Sequence, residues 1–159
     1  MAKRKNTLYI QRDQHISLIG ISCHLKSYRL SFSINKMLNF RLQRIDDFEI
    51  PNHGGEDILG FPILLFNADE MKNHFCLISN HHPQRKLIPA LRQVDYFLIA
   101  KNPIDKYTKE KILARLRNIS QVVAAYEIDA NGTKDLDVLL EEMELHLLMS
   151  QRKRTSAQA

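Results

Sequence analysis

The stretch 87–100, LIPALRQVDYFLIA, constrains the fold more than any other part of the chain. Val94, Tyr96 and Leu98 alternate with Asp95, Phe97 and Ile99, so both sets of alternate positions are apolar or aromatic apart from one acid near the start. A strand apolar on both faces has to be covered on both, which places it centrally in a sheet. Pro89 has no N–H to give to a ladder, so Ile88-Pro89 reads as an extended lead-in and pairing begins after it. An acid inside such a strand requires a partner. Arg29 and Arg92 are available, and an Asp95–Arg29 pair of structural purpose is the expectation.

Ile88-Pro89, four intervening residues and then Val94-Asp95-Tyr96 resemble the signature of the bacterial IPExxxVDY family, which is named for that motif. Tyr28-Arg29-Leu30 through Asn35 and Ala125-Tyr126-Glu127-Ile128-Asp129 resemble it too, so the likeness runs from residue 16 to residue 129. Ala90 stands where the family name carries Glu, which argues for a structural motif rather than a chemical one. The resemblance implies kinship and brings no activity with it.

Periodicity supplies the other elements. His15–Ser22 reads as a first strand, with Gly20 allowing another backbone to come near. Leu25–Asn39 reads as a helix, with Leu30, Ile34, Met37 and Leu38 on one face and Tyr28 and Phe32 widening the apolar arc. Phe40–Ile45 alternates as a strand, and 46–60, with Pro51, Asn52, Gly54 and Gly55, reads as an acidic loop. Phe61–Asn67 and His74–Ser79 read as a hairpin around the turn 68–73, followed by a loop at 80–85. After the signature strand, Asn102-Pro103-Ile104-Asp105 opens a helix with the stripe Ile112, Leu113, Leu116, Ile119. Gln121–Ile128 is a strand and Thr133–Met149 a last helix, striped by Leu136, Leu139, Leu140, Met143 and Leu147. Val138, Leu145 and Leu148 make that helix two-sided. The order β-α-β-β-β-β-α-β-α predicts an α+β fold, a single mixed sheet with helices mainly on one face, its likeliest instance a ferredoxin-like core with additions.

At 159 residues, one domain over 9–150 is expected, between flexible basic tails at 1–8 and 151–159. No apolar leader follows the Met-Ala-Lys-Arg-Lys start and no run spans a bilayer, so the expectation is a cytoplasmic protein with reduced Cys23 and Cys76. The net charge is +5, but each tail alone carries +3, so the body stands at −1. Within it, 26–44 holds five bases (Lys26, Arg29, Lys36, Arg41, Arg44) and no acid, while 46–70 holds seven acids and no base. Mutual neutralisation of these blocks is expected over a basic docking face.

Signals for chemistry are thin. His74, Cys76, His81 and His82 lie close together but lack zinc spacing, so no metal is expected, and Cys76 reads as core. Cys23-His24 precedes a helix start without a third group to orient it. Asp46-Asp47 and Glu56-Asp57 fall on a loop, where solvation explains them. With five glycines and neither GxGxxG nor GKS/T, no nucleotide cofactor is expected.

Two functions remain. The first is a non-enzymatic binding or adaptor protein acting through its helical layer as a homodimer, with Tyr28, Phe32, Leu145 and Leu148 at the interface. The alternative is an RNA-binding accessory protein using the tails, the 26–44 bases, Arg85, Lys86 and Arg92, and exposed aromatics such as Tyr9 or Tyr107.

Overall fold

The computed structural model describes residues 16–52, 57–130 and 134–158; the N-terminal tail 1–8 and Tyr9 lie outside the described residues. In chain order the elements are β1 (Ser17–Cys23), α1 (Ser27–Leu38), β2 (Gln43–Arg44), β3 (Phe48–Pro51), β4 (Ile58–Phe61), β5 (Ile63–Ala68), β6 (Asn73–Ser79), β7 (Tyr96–Ala100), α2 (Lys106–Arg117), β8 (Val122–Ile128) and α3 (Lys134–Gln158). Six strands form one sheet in the order β2-β5-β6-β7-β1-β8, antiparallel at each pairing, and β3–β4 is a separate hairpin. The protein is α+β.

Within the large sheet, β8-β1-β7-β6 has the 4-1-3-2 order of a βαββαβ unit, with α1 following β1 and α2 joining β7 to β8. That is a ferredoxin-like core. The additions are β2 and β5 beyond β6, the β3–β4 hairpin, and α3.

Alternation along β7 explains why two layers are needed. Tyr96, Leu98 and Ala100 join a core with Leu30 and Ile34 of α1 and Ile112, Leu113 and Leu116 of α2. Phe97 and Ile99 join a second core on the other face, with Phe48, Ile50, Leu59 and Phe61 of the hairpin and Leu136 and Met143 of α3. The signature strand is thus buried on both sides, between β6 and β1, as its sequence requires.

Several boundaries differ from the sequence reading, each for a physical reason. The expected strand Phe40–Ile45 is reduced to two paired residues. Asn39 closes α1 in the left-handed region (φ 55°), Phe40 turns inward onto Phe66 and Phe75, and the Asn35 amide holds both N–H and C=O of Leu42. Within the expected loop 46–60, Phe48–Pro51 pairs with Ile58–Phe61 as a hairpin, because Phe48 and Ile50 alternate inward with exposed Glu49 and Pro51. Helix α2 starts at Asp105 rather than Asn102: the Asp105 carboxylate accepts from Thr108 N–H, while the Asn102 amide donates to Lys72 O. Gly20 makes room for side chains rather than a backbone, since a Cβ there would lie 2.6 Å from Ile128 Cδ1 and 3.1 Å from Val94 Cγ2. Residues 151–158, expected as a flexible tail, continue α3. Thr133, the expected cap of α3, lies outside the described residues.

Candidate functional site

The signature residues build a clasp whose centre is Asn80, at the end of β6 and 0 % exposed. Its Nδ2 donates to Leu91 O (3.0 Å) and Val94 O (2.8 Å), and its Oδ1 accepts from Ile88 N–H (2.7 Å). Its backbone N–H donates to Asp95 O and its C=O accepts from Leu87 N–H. The 3-10 turn Pro89–Leu91 and the entry to β7 are therefore wrapped around one amide. A buried amide with all its valences used is strongly directional, and it fixes a segment that has no ladder of its own.

The same segment secures the β1–α1 connection. Asp95 Oδ2 accepts from Cys23 N–H at 2.8 Å, Tyr96 Oη donates to Leu25 O at 2.6 Å, and Ser22 Oγ donates to Gln93 O. Asp95 Oδ1 lies 4.0 Å from Lys86 Nζ. The expected Asp95–Arg29 pair is corrected here: Asp95 faces the end of β1, whereas Arg29 is exposed on the outer side of α1. The sequence does not single out Asn80, because a lone Asn ending an apolar run carries no marker of burial, and it offers Lys86 as a base for RNA rather than as the neighbour of Asp95.

This arrangement holds protons rather than moving them. Burial raises the Cys23 thiol, against a lowering hydrogen bond at Leu25 and with Asp95 adding to the rise. Burial pushes Tyr96 up to about 12, with Cys23 and Asp95 contributing. Burial also raises Cys76, which packs into the second core beside Ile78 as its strand parity implied. Thiols kept protonated are poor nucleophiles and poor metal ligands. His82 lies tilted against the Phe61 ring, His81 is exposed, and His74 bonds Asn67 through Nδ1. Among the described residues, no group of three or more His, Cys, Asp or Glu side chains is disposed to hold a metal ion.

Below α3, on the second face, lies a cavity of about 540 Å³. Its floor is Leu65, Cys76 and Ile99, its roof is Leu140, Met143 and Leu147, and its rim carries His74, Lys101, Asp137, Glu141 and Glu144. Lys101 and Glu144 approach to 3.8 Å across the mouth. No sequence signal announces it, because it forms between a helix and strands distant in the chain.

The candidate interface residues split between two sides of the sheet. Tyr28 (64 % exposed) and Phe32 (70 %) project from α1, while Leu145 and Leu148 project from α3. Tyr107 (75 %) projects from α2, which shares a face of the sheet with α1. Lys26, Arg29, Lys36, Arg41 and Arg44 are all exposed. The expected neutralisation of the basic block by the acidic one does not occur: among the described residues the two are joined by one ion pair, Arg44–Asp47. The reason is placement, since Lys26 precedes α1 and Arg29 and Lys36 belong to it on one face, whereas Phe48–Pro51 and Ile58–Phe61 form the hairpin on the other. From Lys26 to Leu38 and along α2 there are eight bases and one acid, Glu110. No helix among the described residues is long and apolar enough to cross a membrane.

No family model, no curated protein and no solved structure matches the chain.

Proposed function

We propose that the chain is a non-enzymatic binding protein that acts through its helical layer as a homodimer. The observation that supports partner binding most is the outer face of α1 and α2, where Tyr28, Phe32 and Tyr107 stand in solvent, while the exposed apolar residues of α3 offer a separate surface to a second copy. Rings of this size left exposed forgo about 1.5–3 kcal/mol each of burial, which a partner can recover. The protonated, buried thiols support a binding rather than a catalytic role. The proposal includes a cytoplasmic location, where Cys23 and Cys76 stay reduced, and kinship with the IPExxxVDY family through the clasp residues. Affinity capture with the wild-type chain and with a Tyr28→Ala/Phe32→Ala/Tyr107→Ala variant tests it. A partner held by the first and lost by the second is expected; equal capture by both contradicts the proposal.

A second reading is RNA on this same side, favoured by the eight bases against one acid along 26–38 and α2, of which Lys109 is paired with Glu127 and Arg115 donates to Met37 O. Lys and Arg side chains would displace the cations condensed on the RNA phosphates, and unpaired nucleobases would stack on the three rings. Titration with a single-stranded oligoribonucleotide should then show affinity falling steeply between about 100 and about 500 mM salt. Affinity indifferent to salt contradicts it.

A further inference from the structure

We infer that the outward stripe of α3 is the homodimer contact, made by two α3 helices packed antiparallel across a two-fold axis. The inference rests on the homodimer reading above and names the surface and orientation it uses. Helix α3 has 25 residues, about 37 Å of rise. Leu136, Met143 and Ser150 are buried on its inner side. At about 100° per residue, Val138, Leu145 and Met149 fall almost in line on the opposite side, while Leu148 turns toward the cavity beneath the helix. These four are 46–60 % exposed. A single surface leucine needs no explanation, but three large apolar side chains in one line on the solvent side of a helix form a seam.

Charge selects the occupant. From 134 to 144 the helix carries five acids and one base, and from 145 to 158 three bases and no acid. Glu142 and Arg152 flank the seam on its outer side, are exposed, and have no ion-pair partner in the protomer among the described residues. If two copies run antiparallel about a centre near residue 147, Leu145 of each meets Met149 of the other. Glu142 of each then meets Arg152 of the other, at both ends of the Leu145–Met149 patch. A parallel pair would set Glu142 against Glu142 and Arg152 against Arg152. The segregation thus makes the surface complementary to itself in one orientation, which is what a two-fold interface needs. The seam supplies the attraction and the charges supply the direction.

The test is the solution mass of full-length chains by sedimentation velocity across about 1–100 µM. Leu145→Glu is expected to weaken the dimer at least tenfold. Glu142→Arg alone and Arg152→Glu alone should each weaken it, and the double swap should restore it. Far-UV circular dichroism checks that each variant is folded. A dimer indifferent to Leu145→Glu, or a double swap as weak as the singles, overturns the α3 assignment. Tyr28→Ala/Phe32→Ala should leave the mass unchanged. If that pair alone dissolves the dimer, the contact runs through α1, and the homodimer reading survives without this inference.

Discussion

Replacing Asn80 with Ala disconnects the clasp, and the cost can be worked from its bonds. Ile88 N–H and Val94 C=O each lose the bond that the amide supplies, and both are buried. Leu91 C=O is less exposed to the change, because it also accepts from Val94 N–H. A buried backbone group left without a partner costs about 1–3 kcal/mol, so two such groups, with the space left by the amide, give a loss of about 3–6 kcal/mol. For a domain whose whole stability is about 5–15 kcal/mol, that is a large fraction. Urea titration followed by circular dichroism reads it as a drop in midpoint at constant slope, and the melting temperature should fall by about 10 °C or more. Asn80→Asp keeps the acceptor for Ile88 N–H but sets a buried carboxylate oxygen against the Leu91 and Val94 carbonyls, and should cost at least as much as Ala at neutral pH. A loss below about 1 kcal/mol for Ala would refute the view that this amide organises the signature segment.

Four further outcomes follow from the same contacts. Tyr96 holds its proton up to about 12 when folded and ionises near its ordinary value of 10 when unfolded. The folded state therefore binds more protons between those values, so stability is intact below about pH 10 and falls as pH rises toward 12; Tyr96→Phe should flatten that slope in alkaline melts. The Asp105 carboxyl is held below its ordinary value of 3.8 by the Thr108 hydroxyl and N–H, so its contribution to α2 is present above that value and lost in acid. Asp105→Ala should lower the melting temperature at neutral pH, with the gap from wild type closing at low pH. Tyr126 Oη is buried without a hydrogen-bond partner among the described residues, so Tyr126→Phe should leave stability unchanged or raise it by up to about 1 kcal/mol in urea titration. Cys23 and Cys76 should resist a thiol reagent in the folded protein and both react once urea unfolds it; rapid labelling of native protein would contradict their burial.

The parts of the fold that were legible in the sequence are those governed by periodicity. The double-sided run Tyr96–Ala100 declared a central strand, the stripes of Ile112 and Leu136 declared two helices, and their order carried the α+β class. The hairpin of Phe48–Pro51 and Ile58–Phe61 was hidden because its inward residues are few, Phe48 and Ile50 being separated by Glu49 and Leu59 and Phe61 by Gly60, and because the sequence between 46 and 60 carries Pro51, Asn52, Gly54 and Gly55, all of which signal a loop. Partner choice was less legible than parity. Asp95 needed a mate, but which side of the strand's end it faced depended on where β1 stopped, and that put Cys23 and Lys86 in reach instead of Arg29. Sequence-adjacent charge blocks suggested pairing, yet a sheet stands between α1 and the acidic hairpin. The exposed residues Tyr28, Phe32, Leu145 and Leu148 were recognisable as apolar surplus, whereas their division between two faces required the topology.

The central claim, binding through exposed helix faces by a homodimer, is met most directly by the solution mass of the wild-type chain at about 100 and about 500 mM salt, a range that separates screened charge from apolar association. A species of twice the 18.5 kDa chain at both salt concentrations is the expected result. A mass of 18.5 kDa throughout, up to about 100 µM protein, would contradict it.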